Sequence, residues 1–191
     1  LFILKSRSPR RIQILKDLGI CFTTDPSDID ESERTNETPL SYLERMARSK
    51  LGEIPSDRKE FLHLSCDTIV VNSGKILHKP VDEEDSFRIL KDLNGKEHSV
   101  FSGACLYRND RFDFFYEETK ILFYDWSDSE IRNYISEAKP FDKAGSYGIQ
   151  DKGSPVKTRS GSYHNVMGFP LRSFLERWED WVDFWEGKLR P

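Results

Sequence analysis

The apolar residues of this chain fall into short runs and helical stripes separated by polar breaks. Leu1, Phe2, Ile3 and Leu4 open it as a continuous run, the pattern of a short buried strand. From Arg10 to Leu18, Ile14, Leu15 and Leu18 recur on one helical face and Gly19 supplies a stop. Positions 23–39, "TTDPSDIDESERTNETP", are polar and acidic and predict a loop. A second helix follows, with Leu40, Leu43, Met46 and Ala47 inward and Glu44, Arg45, Arg48 and Lys50 on its other faces. "FLHLSCDTIVVNSGKILHK" predicts two strands joined at Asn72-Ser73-Gly74.

In the second half, Asp82 can cap a helix carrying Phe87, Leu90 and Leu93, closed by Gly95. "HSVFSGACLY" and "FDFFYEETKILFY" predict long strands around Arg108-Asn109-Asp110. Ser127 and Glu130 form a capping box for a helix through Ile131 and Ile135. Lys139 to Gly168 is Gly-rich and predicts an irregular stretch, dense in specific polar residues. A last helix carries Phe174, Leu175, Trp178, Trp181, Val182 and Trp185 at three- and four-residue spacing. No repeat, low-complexity tract or linker interrupts this order, so residues 1–191 read as one domain.

Composition narrows the function classes. A formal net charge of −4 with no broad basic face argues against nucleic-acid binding, so an anionic ligand needs a local Lys/Arg cluster or a metal ion. Cys21, Cys66 and Cys105 are odd in number and far apart, which fits neither a disulfide framework nor a zinc site and suits a reducing, cytoplasmic setting. No apolar run approaches the roughly 20 residues of a membrane span, and the opening tetrad followed by SRSPRR is not a signal-peptide pattern.

Five stretches carry candidate chemistry. In "SRSPRRIQIL", Ser8 is a good N-cap and Pro9 suits the first helical turn, leaving backbone N–H groups that favour an anion. Arg10 and Arg11 add planar forks that match phosphate oxygens; the same pattern also serves a capped helix with solvated arginines. In "SCDTIVV", Asp67 interrupts an apolar strand, a costly place for a carboxylate unless a cation or a reaction needs it. Its neighbour Cys66 reads as a small buried side chain. "DIDES" places Asp28, Asp30 and Glu31 in one loop, an oxygen-ligand set for a hard cation or a solvated acidic loop. Lys79, before Pro80, can meet a phosphate or stay in solvent. In "KPFDKAGSYGIQDKG" and "GSYHNVMGFPL" the glycines imply tight backbone, and the Gln150 amide can read a nucleobase edge. His63, His78, His98 and His164 show no ligand or triad spacing.

Taken together and in order, SRSPRR, DES, RMARSK, CDTIV, KP, LNGKEHSVFSG, KPFDKAGSYGIQDKG and GSYHNVMGFPL resemble the Maf-like nucleoside triphosphate pyrophosphatase family over nearly the whole chain. Lys5, Cys66 and His78 depart from the residues usual at their positions, and none removes a charged functional group. The resemblance implies an α/β fold akin to inosine triphosphatases: an elongated mixed β-sheet flanked by helices, in two lobes with a central cleft. It implies Mg²⁺- or Mn²⁺-dependent hydrolysis of a nucleoside triphosphate to monophosphate and pyrophosphate. By motif position, Asp67 matches the family's proton acceptor. Glu31, Lys79, Ser8 and Arg11 match residues that hold metal or phosphates, with Glu31 and Asp67 at the metal. Arg10, Thr68 and Gln150 match the positions that decide the base, and SPRR, DT and YGIQ are the forms carried by the branch acting on dTTP and UTP. The resemblance also implies a homodimer, while the charge and the short apolar runs imply no nucleic-acid or membrane partner. The alternative reading is a nucleotide-binding regulator of septum formation and cell division that keeps the phosphate cradle without turnover.

Overall fold

The computed structural model describes residues 1–181; Val182, Trp185 and the side chain of Trp178 lie outside the described residues. Phe2–Leu4 (β1) is fully buried and follows the apolar run. The helix Pro9–Asp17 (α1) starts on Ser8, whose hydroxyl accepts from the Arg11 amide, and ends before Gly19 at φ +71°. Thr23–Thr24 (β2) lies inside the stretch expected to be loop. Both threonines are exposed, so no alternating pattern announced the strand; its parallel pairing with β1, Ile3 beside Thr23, creates it.

The next helix, Pro39–Ser49 (α2), buries Tyr42, Leu43, Met46 and Ala47. Leu40, expected inward, is 38% exposed: it sits in the first turn, and the phenol of Tyr42 takes the inward position. Leu62–Asn72 (β3) pairs in parallel with β1, Leu4 beside Leu64, and turns through Ser73 and Gly74, both at positive φ, into antiparallel Lys75–Leu77 (β4). Asp82 caps Glu83–Leu93 (α3). Glu97–Arg108 (β5) and Arg111–Phe123 (β6) flank Asn109 and Asp110, again both at positive φ. Asp128–Ala138 (α4) opens on the expected capping box of Ser127 and Glu130.

The stretch from Lys139 to Gly168 is not wholly irregular. It holds Val156–Ser160 (β7), antiparallel to β6 with a bulge at Leu122/Phe123, and the short helix Tyr163–Val166 (α5). Lys157 to Ser160 are exposed, which hid the strand from a reading of hydrophobic alternation. Leu171–Trp181 (α6) buries Phe174 and Trp181 and leaves Leu175 47% exposed, against expectation. The Arg111 guanidinium lies 4.6 Å from the centre of a Trp181 ring. Among the described residues the strands form a mixed seven-stranded sheet, β2-β1-β3-β5-β6-β7 with β4 on β3, flanked by helices. No helix among them is long and apolar enough to cross a membrane.

The chain divides into two compact units. The first comprises Leu1–Asp67, Ser102–Glu117 and the chain from Gly168; the second comprises Thr68–Phe101 and Glu118–Met167. The first has its own core, including Leu4, Leu15, Leu43, Met46, Leu64 and Phe169, all without solvent exposure. Gly103 lets α2 approach closely there, because a Cβ would stand 2.8 Å from Leu43 Cγ. The second is built on Leu93, Val100, Ile121, Phe123, Ile135 and Tyr147.

Within that second core, His98 is 4% exposed, bonded through Nε2 to the Tyr147 hydroxyl at 2.8 Å and edge-on to Phe123. Burial pushes its pKa from 6.5 down to about 4. The unfolded histidine therefore gains a proton at a pH where the folded one stays neutral. Its stabilising contribution is whole above pH 6.5 and is lost as pH falls toward 4. Urea unfolding should weaken across this window by on the order of 3 kcal/mol more in the wild type than in His98→Gln. Identical pH slopes for the two proteins would contradict this assignment.

Candidate active site

At the start of α1 the two adjacent arginines do different things. Arg11 is buried: its Nε donates to the Gly168 carbonyl at 2.7 Å and its Nη1 to Ser6 Oγ at 3.2 Å. The first bond ties the helix start to the segment that leads into α6, and the second ties it to the turn before α1. Arg10 is half-buried on the next position of the helix. Ser6 Oγ also accepts from the Ser8 amide, so the turn that presents Ser8 is held by a side chain on each side. Just before it, buried Lys5 donates to Asp25 at 2.8 Å, and that bond holds the Asp25 carboxyl below its ordinary range.

The acids of "DIDES" do not gather as one ligand set. Asp28 pairs with Arg7 at 3.0 Å in solvent. Asp30 Oδ1 accepts from the Ser32 amide at 2.9 Å, which lowers its pKa. Of these acids Glu31 alone meets the Lys50 ammonium, at 2.8 Å. The same ammonium lies 2.5 Å from Asp67 Oδ1. Glu31 and Asp67, 36 positions apart in the sequence, thus share one cation.

Local structure explains this meeting. Ser65 and Asp67 share a face of β3 because side chains alternate along a strand. Ser65 Oγ donates to the Ala47 carbonyl at 2.5 Å, docking the end of α2 on that face. Lys50, the C-cap three residues on from Ala47, then falls beside Asp67, and a cation is favoured at a helix C-terminus. From the same helix, the Tyr42 hydroxyl donates to the Glu31 carbonyl at 2.8 Å and Arg45 donates to the Ser32 carbonyl at 2.9 Å. Arg45 also forms a two-pronged pair with Glu37, whose pKa its hydrogen bonds hold at about 2. Burial first, then the charges of Asp67 and Glu31, push the Tyr42 phenol well up, so it stays a donor.

Lys50 and Tyr42 are the residues that reading the sequence for chemistry missed. The apolar pattern puts Lys50 merely off the inward face of its helix and gives Tyr42 no chemical role. The signal in the chain is RMARSK, whose terminal lysine follows an amphipathic helix.

Three other candidates belong to the second unit. Thr68 is half-buried, one residue beyond Asp67 on β3. Lys79 is exposed just past β4, next to His78, whose carbonyl accepts from the Gly145 amide at 3.3 Å. Gln150 is exposed on a turn whose ends, Gly148 and Asp151, are bonded together.

Two carboxylates suit a divalent cation such as Mg²⁺, which keeps waters and takes its remaining oxygens from substrate phosphates. The chemistry of the donor set fits: Glu31 and Asp67 already converge on a positive charge. No group of three or more His, Cys, Asp or Glu that could hold a metal occurs among the described residues, so an all-protein cage is not present there. Burial pushes the Cys66 thiol up to about 11, which agrees with its reading as a packing residue.

The family profile described as Maf-like protein matches residues 1–180. A dTTP/UTP pyrophosphatase of Leptospira biflexa serovar Patoc is 58% identical over 189 residues, covering 99% of this chain and 98% of the relative. The dTTP/UTP pyrophosphatase of Leptospira borgpetersenii is 45% identical, covering 98% of this chain and all of the relative. That of Carboxydothermus hydrogenoformans is 38% identical, covering 93% and 97%. With the profile spanning nearly the whole sequence and relatives this similar from end to end, the chain belongs to the Maf-like protein family.

Proposed function

We propose that the chain is a pyrophosphatase that hydrolyses dTTP and UTP to the nucleoside monophosphate and pyrophosphate. The observation that carries the reading is the Glu31–Lys50–Asp67 cluster, in a chain similar over almost its full length to dTTP/UTP pyrophosphatases. Water attacks the α-phosphorus, and Asp67, held in place by Lys50, takes its proton. Glu31 and Asp67 would hold Mg²⁺ or Mn²⁺. When bound, that ion offsets the repulsion between the carboxylates and the triphosphate and polarises phosphate oxygens.

Ser8 and the amides opening α1 receive phosphate oxygens, with Arg10, Arg11 and Lys79 supplying positive charge as negative charge moves to the leaving pyrophosphate. Because Arg11 is also a structural strut, its loss disturbs the fold of the site as well as its charge. Thr68 and Gln150 read the pyrimidine edge. We read residues 1–191 as a single functional domain, since the family profile runs through residues 1–180 without a break. Three free thiols, two of them buried, suit a reducing cytoplasm.

Pyrophosphate release from a panel of triphosphates should favour dTTP and UTP over CTP, ATP and GTP by about 10- to 100-fold, the scale of one or two lost buried hydrogen bonds. Asp67→Asn should lower turnover at least about 100-fold while nucleotide binding largely survives. In heavy-oxygen water the label should enter the monophosphate. Equal use of all five nucleotides, label in pyrophosphate, or a fully active Asp67→Asn would each contradict the reading, and binding without turnover would favour a regulator.

We further propose a homodimer on the family resemblance; Trp181 itself is committed to the core of its own unit. Light scattering at micromolar concentration should give the dimer mass; a monomer would contradict it.

A further inference from the structure

We infer that Tyr134, acting through Gly148 and Asp151, is the positioning residue that holds Gln150 for base selection. This rests on the reading of Gln150 as the residue that meets the base. The hydroxyl of Tyr134, on α4, touches both ends of one four-residue turn: it donates to Asp151 Oδ2 at 2.7 Å and accepts from the Gly148 amide at 3.1 Å. The Asp151 amide closes the turn onto the Gly148 carbonyl at 3.2 Å. Lys143 Nζ lies 3.9 Å from the same Asp151 oxygen. A Cβ on Gly148 would stand 2.6 Å from Asp151 Oδ1, so only glycine lets the carboxylate fold back over the turn.

The flanks are equally fixed. Tyr147 is 5% exposed, edge-on to Phe123 and bonded to His98, and Ile149 packs against the core of the second unit. Of the turn's four residues only Gln150 is exposed. The core needs the Tyr134 ring, which phenylalanine would supply; the hydroxyl goes to the turn alone. A carboxylate 14% exposed is likewise costly unless its bonds do something.

What the clamp supplies is selectivity. A glutamine amide presents a donor and an acceptor side by side, and by rotating can complement a uracil edge or a cytosine edge. Discrimination needs the backbone beneath it fixed, so that the wrong pairing costs an unsatisfied polar group.

The test compares Tyr134→Phe, Asp151→Ala, Asp151→Asn and the Tyr134→Phe/Asp151→Ala double variant by steady-state kinetics on UTP and CTP. Amide hydrogen exchange across residues 147–151 is followed in each protein, with folding checked by thermal melts. Tyr134→Phe and Asp151→Ala should each reduce the UTP:CTP ratio of kcat/KM about ten-fold, chiefly through KM for UTP, and speed exchange in the turn. Asp151→Asn, which keeps an acceptor, should retain most of the ratio, and the double variant should be no worse than Tyr134→Phe alone. An unchanged ratio in Tyr134→Phe and Asp151→Ala, or unchanged exchange across the turn, overturns the proposal. Gln150→Ala separates the two failures: if it keeps the native ratio, the reading of Gln150 is wrong, whatever the clamp variants do to exchange.

Discussion

One ammonium shared by two carboxylates is the constraint around which the first unit is arranged. Asp67 interrupts the buried stretch of β3 between Cys66 and Ile69, where a lone carboxylate would be costly. Lys50 offsets that cost only because α2 ends where it does. Leu43, Met46 and Ala47 seat the helix without solvent exposure, Gly103 leaves room for it, and Ser65 fastens its last turn. The cluster is therefore a consequence of packing, and its charges are set before any substrate arrives, which is what electrostatic catalysis requires.

The same helix organises the acidic loop that precedes it. Tyr42 and Arg45 hold the Glu31 and Ser32 carbonyls, and Lys50 takes the Glu31 carboxylate. A loop rich in like charge would otherwise stay solvated. Here three side chains of one helix decide which of its acids joins the cluster. In the second unit a phenol does comparable work on the turn that carries Gln150. In both cases neighbouring side chains fix the backbone that carries a candidate site residue, consistent with the precision that positioning a reacting group demands.

Much of this was legible in the chain because its local signals agree with its fold. The N-cap at Ser8, the capping box at Ser127 and the positive-φ turns at Ser73-Gly74 and Asn109-Asp110 are where short-range rules place them. The odd position of Asp67 and the reach of Glu31 were legible from chemistry and resemblance. What stayed hidden is non-local. The strands β2 and β7 are exposed segments defined by the partners they pair with, so no hydrophobic period marks them. The role of Lys50 depends on a helix meeting a strand, and a surface lysine and a bridging lysine look alike in one dimension. The grouping of Asp28 and Asp30 with Glu31 followed from proximity in sequence, which hydrogen bonding to Arg7 and Ser32 overrode.

The central claim, that the shared ammonium makes Glu31 and Asp67 a reacting centre, is tested most directly at Lys50. Steady-state pyrophosphate release from UTP by Lys50→Met, with circular dichroism confirming the fold, should fall at least about 100-fold, the scale of losing one preorganised charge at a transition state. A folded Lys50→Met protein turning over UTP at the native rate would contradict the account.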